Sequence, residues 1–346
     1  MQKYIKEVET MERGISIAGT ITVDYNKVID RYVEKGMLSN ILSCTRCVGG
    51  CVNNTIINLS KIDPTIPLYA YGGIGSDENG EFVLNTLRQH GINTEGIRIY
   101  DGELTAFTDC MTVESTGERT FFFAKGACRR FSYEDIDFDS INTEMFHMGY
   151  ALLMDPFDRN DPEYGTVMAR ALAKVQSRGI KTSIDLVSVD NERYSEIVQA
   201  SLKYCNYIII NEIEAGKTVN TDPYGPDGRI DEKQIRKICE KLLEAGVKER
   251  VVIHAPQGGW AMSSDMEFFS VPSLRLPPGY IKGSVGAGDA FCAGILYSIY
   301  RNLSIEESLR IACAAAACNL SEVDSISGMK SIGEIRKLYE KYKAAG

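Results

Sequence analysis

From about residue 144 onward the sequence alternates short apolar runs with helical segments, and few architectures accept that rhythm. The apolar runs fall at 145–150, 182–186, 207–210 and 251–254, with helical periodicity over 164–177, 191–203 and 232–245 between them. Strands joined by crossover helices run parallel, and a parallel sheet must be covered on both faces. The expected fold class is therefore α/β, a central and mostly parallel sheet flanked by helices. In such sheets ligands collect beyond the carboxyl ends of the strands, so residues there carry the functional weight.

The earlier part of the chain adds two strands and an excursion. Residues 15–18 form an apolar run ending at Gly19, and Asp24 follows just beyond it, either a ligand contact or a turn residue. Residues 21–47 show no helical period and read as strands leaving the main sheet. In C-V-G-G-C-V-N-N, Gly49 and Gly50 permit close backbone approach, and Asn53 and Asn54 in the helix behind them can bond hydroxyls. Residues 68–74 form a second strand, and Asp77 caps a helix over 81–89. Between 102 and 123, alternating β-branched and aromatic residues around E-S-T-G read as a hairpin. Segments 21–48 and 102–125 are expected to form a small β-sheet lid over the site, within one domain spanning 1–346.

The stretch around Asp289 carries the chemistry. Gly286, Ala287 and Gly288 precede it, and Phe291, Ile295, Leu296 and Ile299 follow at helical spacing, so a loop opens a helix here. First-turn amides have no intrahelical partners and sit at the positive end of the macrodipole, which makes this entrance an anion cradle. A carboxylate at an anion cradle makes sense if it accepts a proton from a hydroxyl while a phosphoryl group transfers. The other reading is a Gly-rich turn with Asp289 as an ordinary N-terminal helix residue. Asn211 and Glu214 beyond 207–210 can organise a hydrated Mg²⁺ and phosphate oxygens, or simply cap a helix. Gly259 follows the next strand at the ligand edge, and Asn319 ends a helix so poor in bulk (A-C-A-A-A-A-C) that it must pack tightly. Arg119 on the hairpin can reach a ligand.

Composition narrows the partners. A net charge of −9 without a long basic run disfavours nucleic acid or an acidic membrane. No apolar run reaches the roughly 20 residues of a membrane span, and the charged N-terminus lacks a secretion signal. Ten scattered cysteines then fit reduced thiols in a cytoplasm. Cys44, Cys47 and Cys51 lack a nearby fourth ligand and read as packing residues, and His90, His147 and His254 lie too far apart in sequence to suggest a His-rich metal site.

Taken in order, G-x-x-x-x-D at Gly19 to Asp24, G-G-x-x-x-N at Gly49 to Asn54, G-G-I-G-S-D-E-N-G from Gly72, N-x-x-E at Asn211 and Glu214, and V-G-A-G-D ending at Asp289 resemble the ribokinase-like, PfkB family carbohydrate kinases over about 14–328. The resemblance implies an ATP-dependent, Mg²⁺-assisted kinase acting on a sugar hydroxyl beneath a lid that often makes a homodimer. It implies Asp289 as catalytic base and Gly286, Ala287 and Gly288 as anion hole. By the same resemblance Asp24, Gly49, Gly50 and Asn54 contact the substrate, and Asn211 and Glu214 organise the metal and the phosphates, Glu214 through water; by position alone Arg119 is a further substrate contact, Ser284 and Gly259 are further nucleotide contacts, and Asn319 either reaches the nucleotide or caps its helix. Because phosphoryl transfer relies on positioning, an ordinary carboxyl of pKa ~3.9 can serve as the base. The family's usual motif begins D-T where this chain has Gly283 and Ser284, so the carboxylate that helps hold a monovalent cation is missing and K⁺ activation is not implied. Rival readings are a nucleoside kinase using Phe107, Phe121 or Phe123 against a base, an acidic or phosphorylated sugar held by Arg119, Lys125 or Arg130, and a non-catalytic sensor, against which the intact Asp289 argues.

Overall fold

The computed structural model describes residues 13–344. β1 (Gly14–Gly19) starts in the middle of the main sheet, and β2 (Thr22–Ile29) and β3 (Ile41–Gly49) leave and return as an antiparallel pair. α1 (Gly50–Ile62) follows at once, then β4 (Leu68–Gly75), α2 (Glu78–Gln89) and β5 (Asn93–Tyr100). β6 (Phe107–Val113) and β7 (Arg119–Ala124) form the second excursion, a hairpin whose turn uses Gly117 at φ +72°. β8 (Thr143–Ala151) rejoins the main sheet, and the short ladder of β9 (Asn160–Asp161) and β10 (Gly165–Thr166) leads into α3 (Val167–Gln176).

The second half is the expected alternation. It runs β11 (Lys181–Leu186), α4 (Tyr194–Leu202), β12 (Tyr207–Asn211), α5 (Glu212–Val219), α6 (Glu232–Glu244) and β13 (Arg250–Ala255). β14 (Gly258–Ser263) and β15 (Phe268–Pro272) follow, and α7 (Ala287–Tyr300), α8 (Ile305–Asn319) and α9 (Ile332–Tyr342) end the chain.

The main sheet has nine strands in the order β15-β14-β13-β12-β11-β8-β1-β4-β5, parallel from β13 to β5 and antiparallel at the β14 and β15 edge. Of the other six, β9 and β10 pair with each other and four make a separate sheet, β3-β2-β6-β7. Strand alternation divides β1 between two cores: Ile15 and Ile17 join α1, α7 and α8, while Ala18 joins α3, α4 and α6. The low bulk of α8 has its reason in α7. A Cβ on Gly294 would stand 2.7 Å from the Ala312 Cα, so only small residues allow the two helices to lie this close.

Several boundaries differ from the sequence expectation. α3 starts at Val167 because Gly165 and Thr166 are taken up by the ladder with β9, and Thr166 then caps the helix. β5, β14 and β15 are additional strands; β5 reads as a mixed polar segment because only one of its residues, Ile97, is buried.

Candidate active site

The loop ahead of α7 is held from several sides. Gly286 is the N-cap at φ +76°, and a Cβ there would stand 2.3 Å from the Ser325 Cβ. Asn319 Nδ2 donates to the Val285 carbonyl at 2.7 Å, and the Lys282 amide donates to Leu320 O at 2.9 Å. The Asn319 side chain thus shapes the loop. Gly283 lies against backbone, its notional Cβ 2.9 Å from Glu322 O and 3.0 Å from Val323 O, so a side chain at this position would require that backbone to shift.

Asp289, third residue of α7, is buried at 4% exposure. Its Oδ2 accepts from Asn54 Nδ2 at 2.8 Å and from the Tyr150 hydroxyl at 3.0 Å, and Asn54 Oδ1 accepts from Ser325 Oγ at 2.6 Å. Burial pushes the Asp289 carboxyl up to about 7, and the nearby Asp185 adds to the rise while the Asn54 and Tyr150 hydrogen bonds oppose it. The ordinary carboxyl anticipated from the sequence is therefore replaced by one that titrates near neutrality.

Across a cavity of about 170 Å³, Asn211 and Glu214 face Gly286, Gly288 and Asp289. The two form a capping box at the start of α5: Glu214 N donates to Asn211 Oδ1 at 2.8 Å, and Asn211 N donates to Glu214 Oε2 at 3.0 Å. Ser188 Oγ donates to Glu214 Oε1 at 2.9 Å. Burial raises the Glu214 carboxyl to about 7 despite these bonds. Asp185, Glu214 and Asp289 all line this cavity, and among the described residues no Lys or Arg does. Buried carboxylates without a cationic partner make an oxygen-rich setting that suits a hard divalent cation such as Mg²⁺. His254 also lines it; burial depresses its imidazole to about 4, so it is neutral near pH 7.

On the acceptor side, Asp24 lies on β2 with Thr22 donating to its Oδ1 at 3.2 Å, and burial raises its carboxyl. Gly49 and Gly50 are required by contact. A Cβ on Gly49 would be 2.1 Å from Asp24 Oδ2, and one on Gly50, at φ +81°, would be 2.5 Å from Thr20 O. Arg119 sits with Gly117 beside Ile281, Lys282, Gly283 and Ser284, against the loop that leads to Gly286. Of the other cations weighed for a charged acceptor, Lys125 pairs with Asp155 at 2.6 Å and Arg130 with Glu103 at 3.4 Å. Gly259 does not line the cavity. It belongs to the β13 and β14 ladder and packs on Phe291, whose ring would be 3.0 Å from its notional Cβ.

Residues not singled out from the sequence complete the site. Tyr150 and Asp185 stand at the carboxyl ends of β8 and β11, where the rule applied to Asp24 would have found Asp185 too. His147 pairs with Ser183 in the sheet register, its Nδ1 lies 2.8 Å from Ser183 Oγ, and its Nε2 is 3.5 Å from Asp185 Oδ2 and 3.7 Å from Cys292 Sγ. Cys51 is buried against Gly19 and Gly149, Cys47 is half-buried and Cys44 exposed, and among the described residues no cation-binding group forms around these three.

Comparison with known proteins agrees with this architecture. The pattern shared by the pfkB family carbohydrate kinases matches residues 15–332. The chain is 28% identical to a probable chloroplastic fructokinase-6 of Arabidopsis thaliana over 78% of this chain and 68% of that protein. It is 23% identical to a 5-dehydro-2-deoxygluconokinase of Clostridium beijerinckii over 99% of this chain and 97% of that one. Arabidopsis thaliana ribokinase, solved with ribose and ATP, superposes with a TM-score of 0.80 at 20% identity over 95% of this chain and 99% of its own. Ribokinase from Thermotoga maritima superposes with a TM-score of 0.77 at 17% identity, again over 95% and 99%. With the family pattern running from β1 to the start of α9, this chain belongs to the pfkB family of carbohydrate kinases.

Proposed function

We propose that the protein transfers the γ-phosphoryl group of ATP to a hydroxyl of a small sugar, with Asp289 as the base. The observation that carries this reading is a buried carboxylate at the amino end of α7, facing the cavity beside the backbone of Gly286 and Gly288, with Ala287 between them. Those amides form the anion hole for the transferring group, and Asp289 takes the proton of the attacking hydroxyl. Asp24 and the Gly49 and Gly50 backbone hold the sugar; Asn54, bonded to Asp289, fixes base and acceptor relative to each other. Asn211, Ser284 and Asn319 shape the nucleotide side, Asn319 through the Val285 carbonyl. Glu214 would hold Mg²⁺ through water, and a metal bound there would supply positive charge to the phosphate oxygens. Arg119 lies beside Gly283 and Ser284, on the loop that leads to the anion hole, and would contact a ligand from that side.

The small sheet acts as the lid of this single domain. Phe122 and Ile41 are exposed on its face opposite Asp24, which supports a homodimer formed through the lid. All ten cysteines are free thiols, in keeping with a cytoplasmic protein.

A nucleoside acceptor is the second reading, and the lid register favours it. Asp24 stands in register with Thr108, and Thr108 with Phe123; Asn26 with Cys110, and Cys110 with Phe121. Two aromatic rings thus share the sheet face of Asp24, whereas Phe107 packs edge-on against Tyr25. Assaying ATP consumption with sugars, sugar acids and nucleosides separates the readings: turnover of nucleosides alone refutes the sugar assignment.

A further inference from the structure

The turn after β8 is unusual in its backbone. Tyr150 has φ +56° and Leu152 φ +80°, two non-glycine residues in the left-handed region within one turn. Each costs on the order of 1–2 kcal/mol, and such strain persists only where the surroundings hold it. Here two buried or half-buried carboxylates hold it. Asp185 Oδ1 accepts the Tyr150 amide at 2.6 Å, and Asp158 Oδ1 accepts the Leu152 amide at 3.1 Å.

The strained turn directs the Tyr150 phenol at the catalytic carboxylate. Its hydroxyl and Asn54 Nδ2 both donate to Asp289 Oδ2, at 3.0 and 2.8 Å, and among the described residues no hydrogen bond to Oδ1 is found. A carboxylate with one oxygen doubly bonded and the other open has a fixed orientation and a defined acceptor atom.

We propose that Tyr150 and Asp185 are the positioning residues of the base: Asp185 pins the left-handed turn, and the phenol fixes Asp289 Oδ2 so that Oδ1 faces the incoming hydroxyl. This rests on the reading of Asp289 as the base. Tyr150 is a donor to the carboxylate and favours its charged form, whereas Asp185 is a neighbouring negative charge and disfavours it. The two therefore act on the same atom with opposite sign. The other titratable groups around Asp289 are Asp24 on β2, Cys51 on α1, Glu214 on α5, His254 on β13 and Cys292 on α7. None of these five is among its hydrogen-bond donors in the described residues.

The test titrates the carboxyl directly. Protein labelled with ¹³C at aspartate side-chain carboxyls is followed by NMR against pH without ligand, the Asp289 signal being identified by its loss in Asp289→Asn. Tyr150→Phe should move the Asp289 midpoint upward by roughly 0.5–1 unit, and Asp185→Asn should move it downward. A Tyr150 that only packs the turn predicts an unmoved midpoint. With D-fructose and D-ribose as acceptors, Tyr150→Phe should also lower kcat ~10-fold with KM for ATP held. An unmoved midpoint in Tyr150→Phe, or shifts of the same sign in both variants, overturns the proposal. Tyr150→Phe decides alone if Asp185→Asn does not fold. Absence of phosphorylation of any sugar by the wild type would count against the proposed function, while the titration would still decide this inference.

Discussion

Replacing Asp289 by Asn should stabilise the protein, and the size of the effect follows from its burial. The carboxyl lies at 3.8 in the unfolded chain and about 7 in the fold. An acid with a raised folded pKa binds its proton more tightly when folded, so its contribution is fully present below pH 3.8 and is lost as pH rises through about 7. Each unit corresponds to ~1.4 kcal/mol, which sets an upper bound of ~4 kcal/mol. Water entering the cavity and relaxation around the charge reduce this to roughly 1–3 kcal/mol. The amide keeps its shape and an acceptor for Asn54 and Tyr150 but cannot ionise. Urea unfolding of the ligand-free protein at pH 8 should therefore give Asp289→Asn an advantage of that size, shrinking to about a third at pH 5. A variant equal to or less stable than the wild type at pH 8 would refute the account of Asp289 as a charge held against its preference.

Other outcomes follow from the same geometry. Phosphoryl transfer should decline below about pH 7, because Asp289 must be deprotonated to act as the proposed base; a kcat/KM profile flat from pH 5 to 8 contradicts this. Gly286→Ala combines a left-handed φ with a Cβ 2.3 Å from Ser325, and should cost roughly 1–3 kcal/mol in denaturant unfolding and lower kcat at least ~10-fold. Gly49→Ala pushes a methyl group onto Asp24 Oδ2 and should raise KM for the acceptor while leaving KM for ATP unchanged, as initial-rate kinetics would report. With no carboxylate at Gly283, exchanging K⁺ for Na⁺ should change the initial rate little; strong K⁺ dependence would show that other oxygens, such as the neighbouring Glu322 and Val323 carbonyls, hold the cation instead.

The parallel sheet was legible because its strands are buried on both faces and read as apolar runs, and the hairpin because β-branched and aromatic residues alternate around Gly117. Asp289 stood out as an acid at an anion cradle. The rest of the site was hidden for a physical reason: its parts come from different strands. His147 and Ser183 are 36 residues apart and meet only through the β8 and β11 register. Tyr150 looks like one more residue of an apolar run, and nothing in its neighbours signals a left-handed backbone. Asn319 at a helix end and Gly259 beside a strand fitted nucleotide contacts equally well by position; the fold uses one to hold Val285 and the other to seat Phe291.

The most direct measurement is phosphoryl transfer itself. Wild type and Asp289→Asn are incubated with ATP and Mg²⁺ and a panel including D-fructose, D-ribose, a sugar acid and a nucleoside, with product followed by ³¹P NMR. The account predicts a sugar phosphate from the wild type and turnover reduced by at least ~10² in the variant with sugar and ATP binding largely kept. No phosphorylated sugar from the wild type, or equal turnover in Asp289→Asn, would contradict it.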